Sequence, residues 1–438
     1  MTIIRNRDEL EKTVEREVAL DSIESGIGAV MPDQVIQRHV SLDDNTLDVR
    51  GTRIDLSGFE RIFVVGGGKG SSLFAREIEN LLQDRIKGGV IVDSRPRKLQ
   101  RLEVVEGGHP VPDEGSVEGA SKVLRYARDA GEKDLVLVVI TGGGSSLMAS
   151  PAGQIRLKDL RKVNSELLKS GASIHEINAV RKHVSGIKGG KLAREALPAS
   201  VVSLVVSDVV GDDLSVIASG PTSPDESTFQ DALNVVSDYG LDVPKPVMRH
   251  LRKGEDKKDN FENVTNLILA NNFDALEGAR RGVRREHPGY STLILSSYIE
   301  GESSEIGKLH GSIAKEIIRT GNPVEPPCVV ISGGETTVTV DGGGKGGPNG
   351  EFVLSCLSSL PEGATFAAVD TDGIDGVSEA AGAIGDGLTS EKARRKDIDI
   401  GRCLSNNDSY GFFNSVDGLI LMDETGTNVS DLRAVVIS

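Results

Sequence analysis

Short apolar runs alternate with helical patterns along most of this sequence, and this alternation limits the fold more than any other feature. The runs that predict strands lie at 62–65, 89–93, 135–140, 201–207, 267–270, 292–297, 328–332, 365–370 and 418–422. Helical patterns fall between most of them, at 71–85, 116–130, 156–169, 226–237, 273–286 and 302–319. Strand, helix and strand in repetition are typical of α/β proteins with largely parallel, buried sheets.

The length of the chain and one charged segment predict two domains. A chain of 438 residues is too long for one ordinary core. The best linker candidate is 240–265, which has two prolines and a dense run of charges. We therefore predict domains at 1–242 and 243–438, each with a largely parallel or mixed sheet flanked by helices. The alternative is that 240–265 is an exposed insertion within one domain.

Charge and cysteine content exclude several classes of protein. The net charge of −16 repels nucleic acids and anionic lipid surfaces. The three cysteines, Cys328, Cys356 and Cys403, are widely spaced and form neither a metal-ligand pattern nor a disulfide framework. The N-terminal segment is heavily charged, unlike a secretory signal, and no apolar run reaches the roughly 20 residues of a spanning helix. We expect a cytoplasmic protein without nucleic-acid or membrane partners.

Glycine-rich turns follow four of the predicted strands, at 66–72, 141–151, 332–352 and 370–376. Such turns expose backbone N–H groups beyond the carboxyl end of a strand, and the next helix offers its positive N-terminus to an anion. Several of them together indicate a ligand with several phosphates. None matches a P-loop or a strict dinucleotide fingerprint, and any single turn is equally explained by the conformational needs of a tight turn.

Lys69 lies within the first of these turns, in "GGGKGSS". An ammonium at a helix N-terminus is electrostatically unfavourable unless an anion shares the site. We therefore predict that Lys69 meets an anionic group of a ligand, the alternative being a solvated surface lysine.

A second group of cations occurs in "NAVRKHVSGIKGGKLAREAL", where Arg181, Lys188 and Lys191 concentrate positive charge in an otherwise acidic chain. His183 lies among them. Neighbouring cations lower the proton affinity of an imidazole, so His183 is interpreted as a binding or structural group rather than a base.

Carboxylates follow two of the predicted strands. Asp208 comes directly after an apolar run, and Asp370, Asp372 and Asp375 follow another. Carboxylates at strand ends suit Mg²⁺, which prefers oxygen ligands, or a base that accepts a hydroxyl proton. The alternative is ordinary turn chemistry, since Asp-Gly pairs favour turns.

Motifs along the chain resemble those of a known family. The sequence is similar to the glycerate 2-kinases of the MOFRL type in "GGGKGSS", "GGHPVPDEGS", "TGGGSSLMASP", "NAVRKHVSGIKGGKLA", "VVSDVVGDDLSVIASGPTSPD", "SGGETTVTVDGGGKGGPNGEF", "DTDGIDG", "AAGAIGDG", "NNDSYGFF" and "GTNVSDL". These matches run in order from residue 61 to near the C-terminus.

The resemblance implies a two-domain α/β enzyme with a Rossmann-like N-terminal domain, a MOFRL-type C-terminal domain and an active site in the interdomain cleft. It implies that ATP and Mg²⁺ are used to phosphorylate D-glycerate at the 2-hydroxyl, by a monomer or homodimer. Lys69 and Asp208 fall on positions regarded as central to the site. Where some relatives carry arginine and glutamine, this chain has Pro348 and Gly350, so Arg181 or Lys345 would have to supply that positive charge.

The candidate site residues are grouped by expected role. The catalytic candidates are Lys69 and Asp208. The substrate- and phosphate-binding candidates are Gly67, Gly68, Ser71, Ser145, Ser146, Arg181 and Lys188. The nucleotide-binding candidates are Gly143, Gly144, Gly333, Gly334, Glu335, Lys345, Asn349 and Asn407. The metal candidates are Asp372 and Asp375.

Other activities remain open at this stage. A hydroxypyruvate reductase would need an NAD(P) site, whose acidic residue lies about 20 positions after the glycine turn. Asp84 and Asp93 lie in that region. A kinase of a related small sugar acid and a non-catalytic sensor of nucleotides or sugar acids are further alternatives.

Overall fold

The computed structural model describes residues 2–256, 261–359 and 361–438. The strands are β1 (Val40–Asp43), β2 (Thr46–Val49), β3 (Thr52–Asp55), β4 (Arg61–Gly67), β5 (Ile86–Asp93), β6 (Glu103–Glu106), β7 (Asp134–Ile140), β8 (Ser200–Val206), β9 (Val264–Ala270), β10 (Ser291–Glu302), β11 (Cys328–Thr337), β12 (Ala364–Asp370), β13 (Gly382–Gly385), β14 (Leu419–Ile420) and β15 (Asp431–Ile437). The helices are α1 (Arg7–Leu10), α2 (Val14–Val30), α3 (Pro32–His39), α4 (Ser71–Leu82), α5 (Glu114–Asp129), α6 (Gly144–Leu147), α7 (Leu157–Lys169), α8 (Ile174–His183), α9 (Lys191–Ala196), α10 (Phe229–Asp238), α11 (Lys245–Lys253), α12 (Asn272–Glu286), α13 (Ser303–Thr320), α14 (Pro348–Ser358), α15 (Gly387–Arg395), α16 (Ile400–Ser405) and α17 (Ser409–Val416). Among the described helices, none has both the length and the apolar character needed to span a membrane.

The chain divides into two compact α/β units, which confirms the predicted two-domain α/β fold. The parallel-sheet unit comprises Val35–Ser207 and Asp212–Leu269. The mixed-sheet unit comprises the residues up to Gln34, the short segment Asp208–Gly211 and the residues from Ala270 onward.

This division differs from the sequence-based boundary at 242/243. Helix α11 falls within the predicted linker 240–265, but its side chains Val247 and Leu251 are buried in the core of the parallel-sheet unit. Residues 257–260 of that predicted linker lie outside the described residues. The change between units falls between Leu269 and Ala270, at the end of β9, rather than before α11.

The parallel-sheet unit contains a six-stranded sheet in the order β6-β5-β4-β7-β8-β9. β4 pairs in parallel with β5 on one side and with β7 on the other. Along the chain, β5 and β6 are added on one side of β4, and β7, β8 and β9 are then added on its other side. This is the Rossmann-type strand order. Ligands of such sheets bind at this reversal point, beyond the carboxyl ends of the two central strands. A small antiparallel sheet, β1-β2-β3, belongs to the same unit.

The mixed-sheet unit contains a second six-stranded sheet, in the order β10-β11-β15-β12-β13-β14. β10 and β11 are parallel, whereas β15 runs antiparallel to both of its neighbours, β11 and β12. Successive side chains of a strand point to opposite faces. Val329 and Ile331 accordingly pack with α2 and α12, while Val330 packs with α13 and α14 on the other face.

Helices α2 and α12 approach each other closely because glycine lies at their contact. A Cβ atom at Gly278 would lie 2.4 Å from the Cβ of Ala29 and 2.9 Å from the carbonyl oxygen of Ser25. No larger side chain fits there without displacing α2. This contact places the N-terminal helix in the mixed-sheet unit, although about 240 residues separate it from its partner.

Candidate functional site

Two turns meet at the reversal point of the parallel sheet. The backbone N–H of Lys69 donates to the carbonyl of Gly142 at 2.8 Å, and the Thr141 hydroxyl donates to the Lys69 carbonyl at 2.8 Å. Gly68 has a φ of 151°, and a Cβ there would lie 2.1 Å from the Thr141 hydroxyl oxygen, so only glycine fits. A Cβ at Gly143 would lie 3.4 Å from Cγ of Lys69. The side chain of half-buried Lys69 therefore lies beside the second turn.

The remaining candidates of these turns lie close by. A Cβ at Gly144 would be 2.9 Å from the carbonyl oxygen of Gly67. The hydroxyl of Ser146 donates to the carbonyl of Gly143 at 3.1 Å. The structure thus brings Gly67, Lys69, Gly143 and their neighbours together within one unit.

The N-terminus of α4 is already occupied by an anion of the chain itself. The buried carboxylate of Asp93, at the end of β5, accepts from the N–H groups of Gly70 at 3.2 Å and Ser72 at 2.9 Å, and from the Ser72 hydroxyl at 2.6 Å. A carboxylate of the chain itself therefore caps this helix, and the anion expected at the Lys69 side chain stays a prediction. Ser71 is fully buried and donates its hydroxyl to the Val92 carbonyl, so we leave it out of the candidate site.

A chain of hydrogen bonds starts at the buried ammonium of Lys188. Its Nζ lies 2.5 Å from the carbonyl oxygen and 2.8 Å from Oγ of Ser145. Oγ of Ser145 is 3.0 Å from Oγ of Ser219, which donates to Oδ1 of Asn178 at 2.9 Å. Sequence reasoning named Lys188 and Ser145 but missed Ser219 and Asn178, since nothing in their own motifs marks them as partners.

The electrostatic environment of Lys188 is cationic. Burial lowers its pKa to about 7, with further contributions from Arg181 and Lys191. Arg181 donates to Oδ1 of Asn164 at 3.3 Å, and burial lowers its pKa too. Burial also lowers the pKa of His183, whose Nδ1 donates to the Ala179 carbonyl as a structural contact.

Carboxylates gather at one end of the central strands of the mixed sheet. Gly334 in β11 and Asp370 at the end of β12 both pair with Asp431 at the start of β15, because β15 runs antiparallel between them. Desolvation, followed by the neighbouring Asp431 and Asp208, raises the pKa of Glu335 to about 8. Glu335 retains contact with solvent, so the cluster opens to the outside.

Asp370, Asp372 and Asp208 lie at the same end of these strands. Desolvation raises the pKa of Asp370 well above its usual range, and Asp372, Asp431 and Glu335 add to the effect. The carbonyl of Asp208 accepts from the hydroxyl of Ser430, which fixes this residue to the segment before β15.

Asp431 connects this carboxylate cluster to the buried core of the unit through hydrogen bonds. It accepts from the N–H and hydroxyl of Thr336 at 3.0 Å, from Nδ2 of Asn349 at 2.6 Å and from the guanidinium of Arg433. Arg433 has no solvent exposure and lies 5.2 Å from the ring centre of Phe352. Sequence reasoning missed both charged residues. A carboxylate and a guanidinium within the strand "DLRAVVI" were the available signal, because charged residues are rarely fully buried unless paired.

The two predicted metal ligands, Asp372 and Asp375, lie in different surroundings. Asp375 is buried and accepts from the N–H groups of Asn349 at 2.9 Å and Gly350 at 2.8 Å, so both oxygens cap the N-terminus of α14. Desolvation raises its pKa to about 7. Asp372 instead lies with the cluster, where its N–H donates to Oδ1 of Asp370 at 3.0 Å.

Two further nucleotide-binding candidates of this unit, Lys345 and Asn407, make contacts within its loops. Lys345 lies over the ring of Tyr410, at 4.4 Å, and 3.6 Å from Glu379. Oδ1 of Asn407 accepts from the N–H groups of Asp341 and Gly342 and so holds the glycine-rich loop in place.

Gly333 and Gly334 lie within β11, directly before Glu335. A Cβ at Gly333 would lie 2.0 Å from Oδ1 of Asn272, and one at Gly334 would lie 2.1 Å from the Ile299 carbonyl oxygen. Both positions need the small residue for packing.

The fold and these groups define a two-domain α/β protein in which a doubly wound sheet carries buried cations and a mixed sheet carries clustered carboxylates. Two family models match the chain: one described as "Domain of unknown function (DUF4147)" at residues 18–252, and the MOFRL family at residues 328–431. The chain belongs to the glycerate 2-kinase family of the MOFRL type, as its motifs predicted.

Individual relatives cover nearly the whole chain. A glycerate 2-kinase of Pyrococcus horikoshii is 40% identical over 97% of both chains. The crystal structure of a glycerate kinase of Thermotoga maritima matches with a TM-score of 0.86 and 36% identity, covering 96% of this chain and 99% of that one. A protein of Agrobacterium vitis, provisionally named a hydroxypyruvate reductase, is 42% identical over 86% of this chain and 87% of its own length.

Proposed function

We propose that this protein is a glycerate 2-kinase, which transfers the γ-phosphoryl group of ATP to the 2-hydroxyl of D-glycerate. The observation that carries the proposal is that the similarity to glycerate kinases spans both units, so the cations of one and the carboxylates of the other are both included. Phosphoryl transfer depends mainly on positioning and on stabilising negative charge, and these are the groups it needs.

In the parallel-sheet unit, Lys69 and the turn that contains Gly143 and Gly144 bind phosphate oxygens. The ammonium of Lys69 stabilises the charge that develops on the transferred group. Arg181 and Lys188 provide further positive charge behind these turns. Preorganised donors of this kind contribute strongly because they cost no reorganisation during the reaction.

In the mixed-sheet unit, the carboxylate cluster fits Mg²⁺. Its donors are carboxylate oxygens, the hard ligands that Mg²⁺ prefers. Asp372, together with the neighbouring Asp370, would offer oxygen ligands to the ion, whereas Asp375 caps a helix. When bound, Mg²⁺ would neutralise charge on the nucleotide phosphates.

Asp208 is the proposed proton acceptor for the 2-hydroxyl. Its carboxylate follows β8, and its backbone is fixed by Ser430. A base needs to lie within hydrogen-bonding reach of the hydroxyl it activates. The location of the active site in an interdomain cleft stays a prediction.

The reductase alternative finds less support in the structure. In a dinucleotide-binding sheet, an acidic residue at the end of the second strand binds the ribose hydroxyls. Asp93 occupies that position, but its oxygens accept from the N–H groups of Gly70 and Ser72. Asp84 is paired with Arg101 at the surface.

The test is a product analysis. The protein is incubated with ATP, Mg²⁺ and D-glycerate, and the product is identified by phosphorus NMR. We expect 2-phosphoglycerate, with no reaction when D-glycerate is omitted. Formation of 3-phosphoglycerate would contradict the assigned position, and NAD(P)H oxidation with hydroxypyruvate but no phosphorylation would contradict the kinase assignment.

A further inference from the structure

His109 lies in the turn between β6 and α5, within the motif "GGHPVPDEGS". The N–H of Gly107 donates to the carbonyl of Asp93 at 3.0 Å. The N–H of Gly108 donates to the buried hydroxyl of Ser116 at 2.9 Å. The backbone that leads into His109 is therefore fixed to β5 and to α5, while the His109 side chain itself is exposed.

The imidazole of His109 packs against Gly143, in the turn after β7. A Cβ atom at Gly143 would lie 2.7 Å from Cδ2 and 2.8 Å from Nε2 of this ring. The ring therefore occupies the space that a side chain at position 143 would need, and the φ of 75° at Gly143 independently favours glycine there. The turns after β6 and after β7 are thus packed together at the carboxyl end of the parallel sheet.

The side chain of Lys69 reaches the same place from a third turn. The Cβ position built at Gly143 would be 3.4 Å from Cγ of Lys69. The stem of an ammonium group and an imidazole therefore flank one glycine at the reversal point of the sheet, where ligands of such folds bind. Lys69 is half-buried and His109 is exposed, so a ligand has access to both side chains.

Packing against a glycine does not require an imidazole, because an apolar ring would fill the same space. What the imidazole adds is an N–H donor. An ammonium and an N–H donor on neighbouring side chains suit one anion with several oxygens, since hydrogen bonds to a charged acceptor are the strong ones. Both substrates of the proposed reaction carry such an anion.

We propose that His109 is a further substrate-binding residue, which donates a hydrogen bond from its imidazole to the same oxyanion that Lys69 binds. The inference rests on the proposed function and adds a residue to its substrate site. The oxyanion comes from one of two sources, the γ-phosphoryl group of ATP or the carboxylate of D-glycerate, which present the same kind of acceptor oxygen.

Chemical modification of the full chain tests the contact independently of turnover. Diethyl pyrocarbonate modifies accessible imidazoles, and peptide mass spectrometry measures its rate separately at His109 and at His175, an exposed histidine on α8. The ligands are D-glycerate alone and the β,γ-imido analogue of ATP with Mg²⁺. With a ligand at about ten times its Kd, we expect about 10-fold slower modification of His109, because only the free fraction reacts, and no change at His175.

The two ligands distinguish the two sources of the oxyanion. Protection of His109 by D-glycerate identifies the carboxylate as the bound group. Protection by the nucleotide analogue identifies the γ-phosphoryl group, and protection by both places His109 where the two groups meet.

Variants separate hydrogen bonding from packing. His109→Phe keeps a ring against Gly143 but loses the N–H donor, so kcat/KM for the protecting ligand should fall about 10–100-fold. His109→Gln restores an N–H donor and should recover much of this loss. His175→Ala is the matched control and should retain wild-type kinetics. Melting curves of all variants establish that they are folded.

Two outcomes would overturn the proposal: modification of His109 that neither ligand slows, and wild-type kinetics in His109→Phe. Phosphorus NMR separates these failures from failure of the kinase assignment. An enzyme that forms 2-phosphoglycerate and gives either result retains its proposed function, and His109 is then a packing residue. A wild-type protein that forms no 2-phosphoglycerate loses the kinase assignment, whatever the modification of His109 shows.

Discussion

Replacing Asp93 by alanine should destabilise the parallel-sheet unit, because this carboxylate holds the N-terminus of α4. The substitution leaves three backbone N–H groups, those of Gly70, Ser72 and Arg95, and the Ser72 hydroxyl without this acceptor. Ser72 is fully buried, and a buried donor without a partner costs about 1–3 kcal/mol. Gly70 is half-buried and can turn to water, so we expect a total loss of about 2–4 kcal/mol, above the ~0.5–2 kcal/mol of an ordinary cap.

Urea unfolding followed by far-ultraviolet circular dichroism measures the loss, since the chain has no tryptophan to report by fluorescence. Because a two-unit chain need not unfold in one step, hydrogen exchange of the peptide covering α4 assigns the effect to this helix. The matched control is Asp399→Ala, which removes an exposed cap of α16 that accepts from the Arg402 N–H at 2.8 Å. That control should lose no more than about 1 kcal/mol. Equal losses in the two variants, or unchanged exchange in α4, would refute the argument from burial.

Four further predictions concern activity and packing. Lys69→Ala should lower kcat by about 10²–10³-fold (roughly 2–4 kcal/mol) with an unchanged melting temperature, and near-normal turnover would remove Lys69 from the mechanism. Asp208→Asn should lower kcat by about 10²–10⁴-fold while the Mg²⁺ concentration for half-maximal rate is unchanged, and a large rise in that concentration would make Asp208 a metal ligand instead. Chelation of Mg²⁺ should abolish activity while thermal melting of the ligand-free protein stays the same, and a lower melting temperature would reveal a structural metal. Gly278→Leu should destabilise the mixed-sheet unit by about 1–3 kcal/mol in urea titrations, because its Cβ would meet Ala29, whereas Gly289→Leu, with open space around it, should cost much less.

The two central strands of the parallel sheet could be predicted from the sequence because they are continuous apolar runs that lead into glycine, whereas the four-residue strands β1, β2, β3 and β6 were missed because they are short and partly polar. β4 and β7 were found in this way, and their turns mark the reversal point of the sheet. The mixed-sheet unit was harder to predict. β15 carries Asp431 and Arg433, whose charges interrupt the apolar pattern, and α2 is buried around much of its circumference, so it lacks the single apolar stripe of a surface helix.

The candidate site shows the same limit. Residue types marked Lys69 and Asp208, but the partner of Lys188 is 43 positions away and is found only when α6 and the loop after α8 are placed in space. The helix N-terminus beside Lys69 was assigned to a ligand because a carboxylate 21 positions further on could not be foreseen as its cap. The local sequence therefore predicted where the turns lie. The side chains that bind to the groups of these turns depend on long-range contacts, which the local sequence does not contain.

The insertion of the parallel-sheet unit between α2 and α12 has a consequence for biosynthesis. During translation, all strands of that unit are synthesised before α12. The Rossmann-type sheet can therefore fold before α12, the helix against which α2 packs, has been made. During that interval the apolar residues of α2, such as Leu20, Ile23 and Ile27, have no core to enter. The nascent chain therefore carries an exposed hydrophobic helix ahead of a folded domain, and such a segment is what a chaperone that acts during translation recognises.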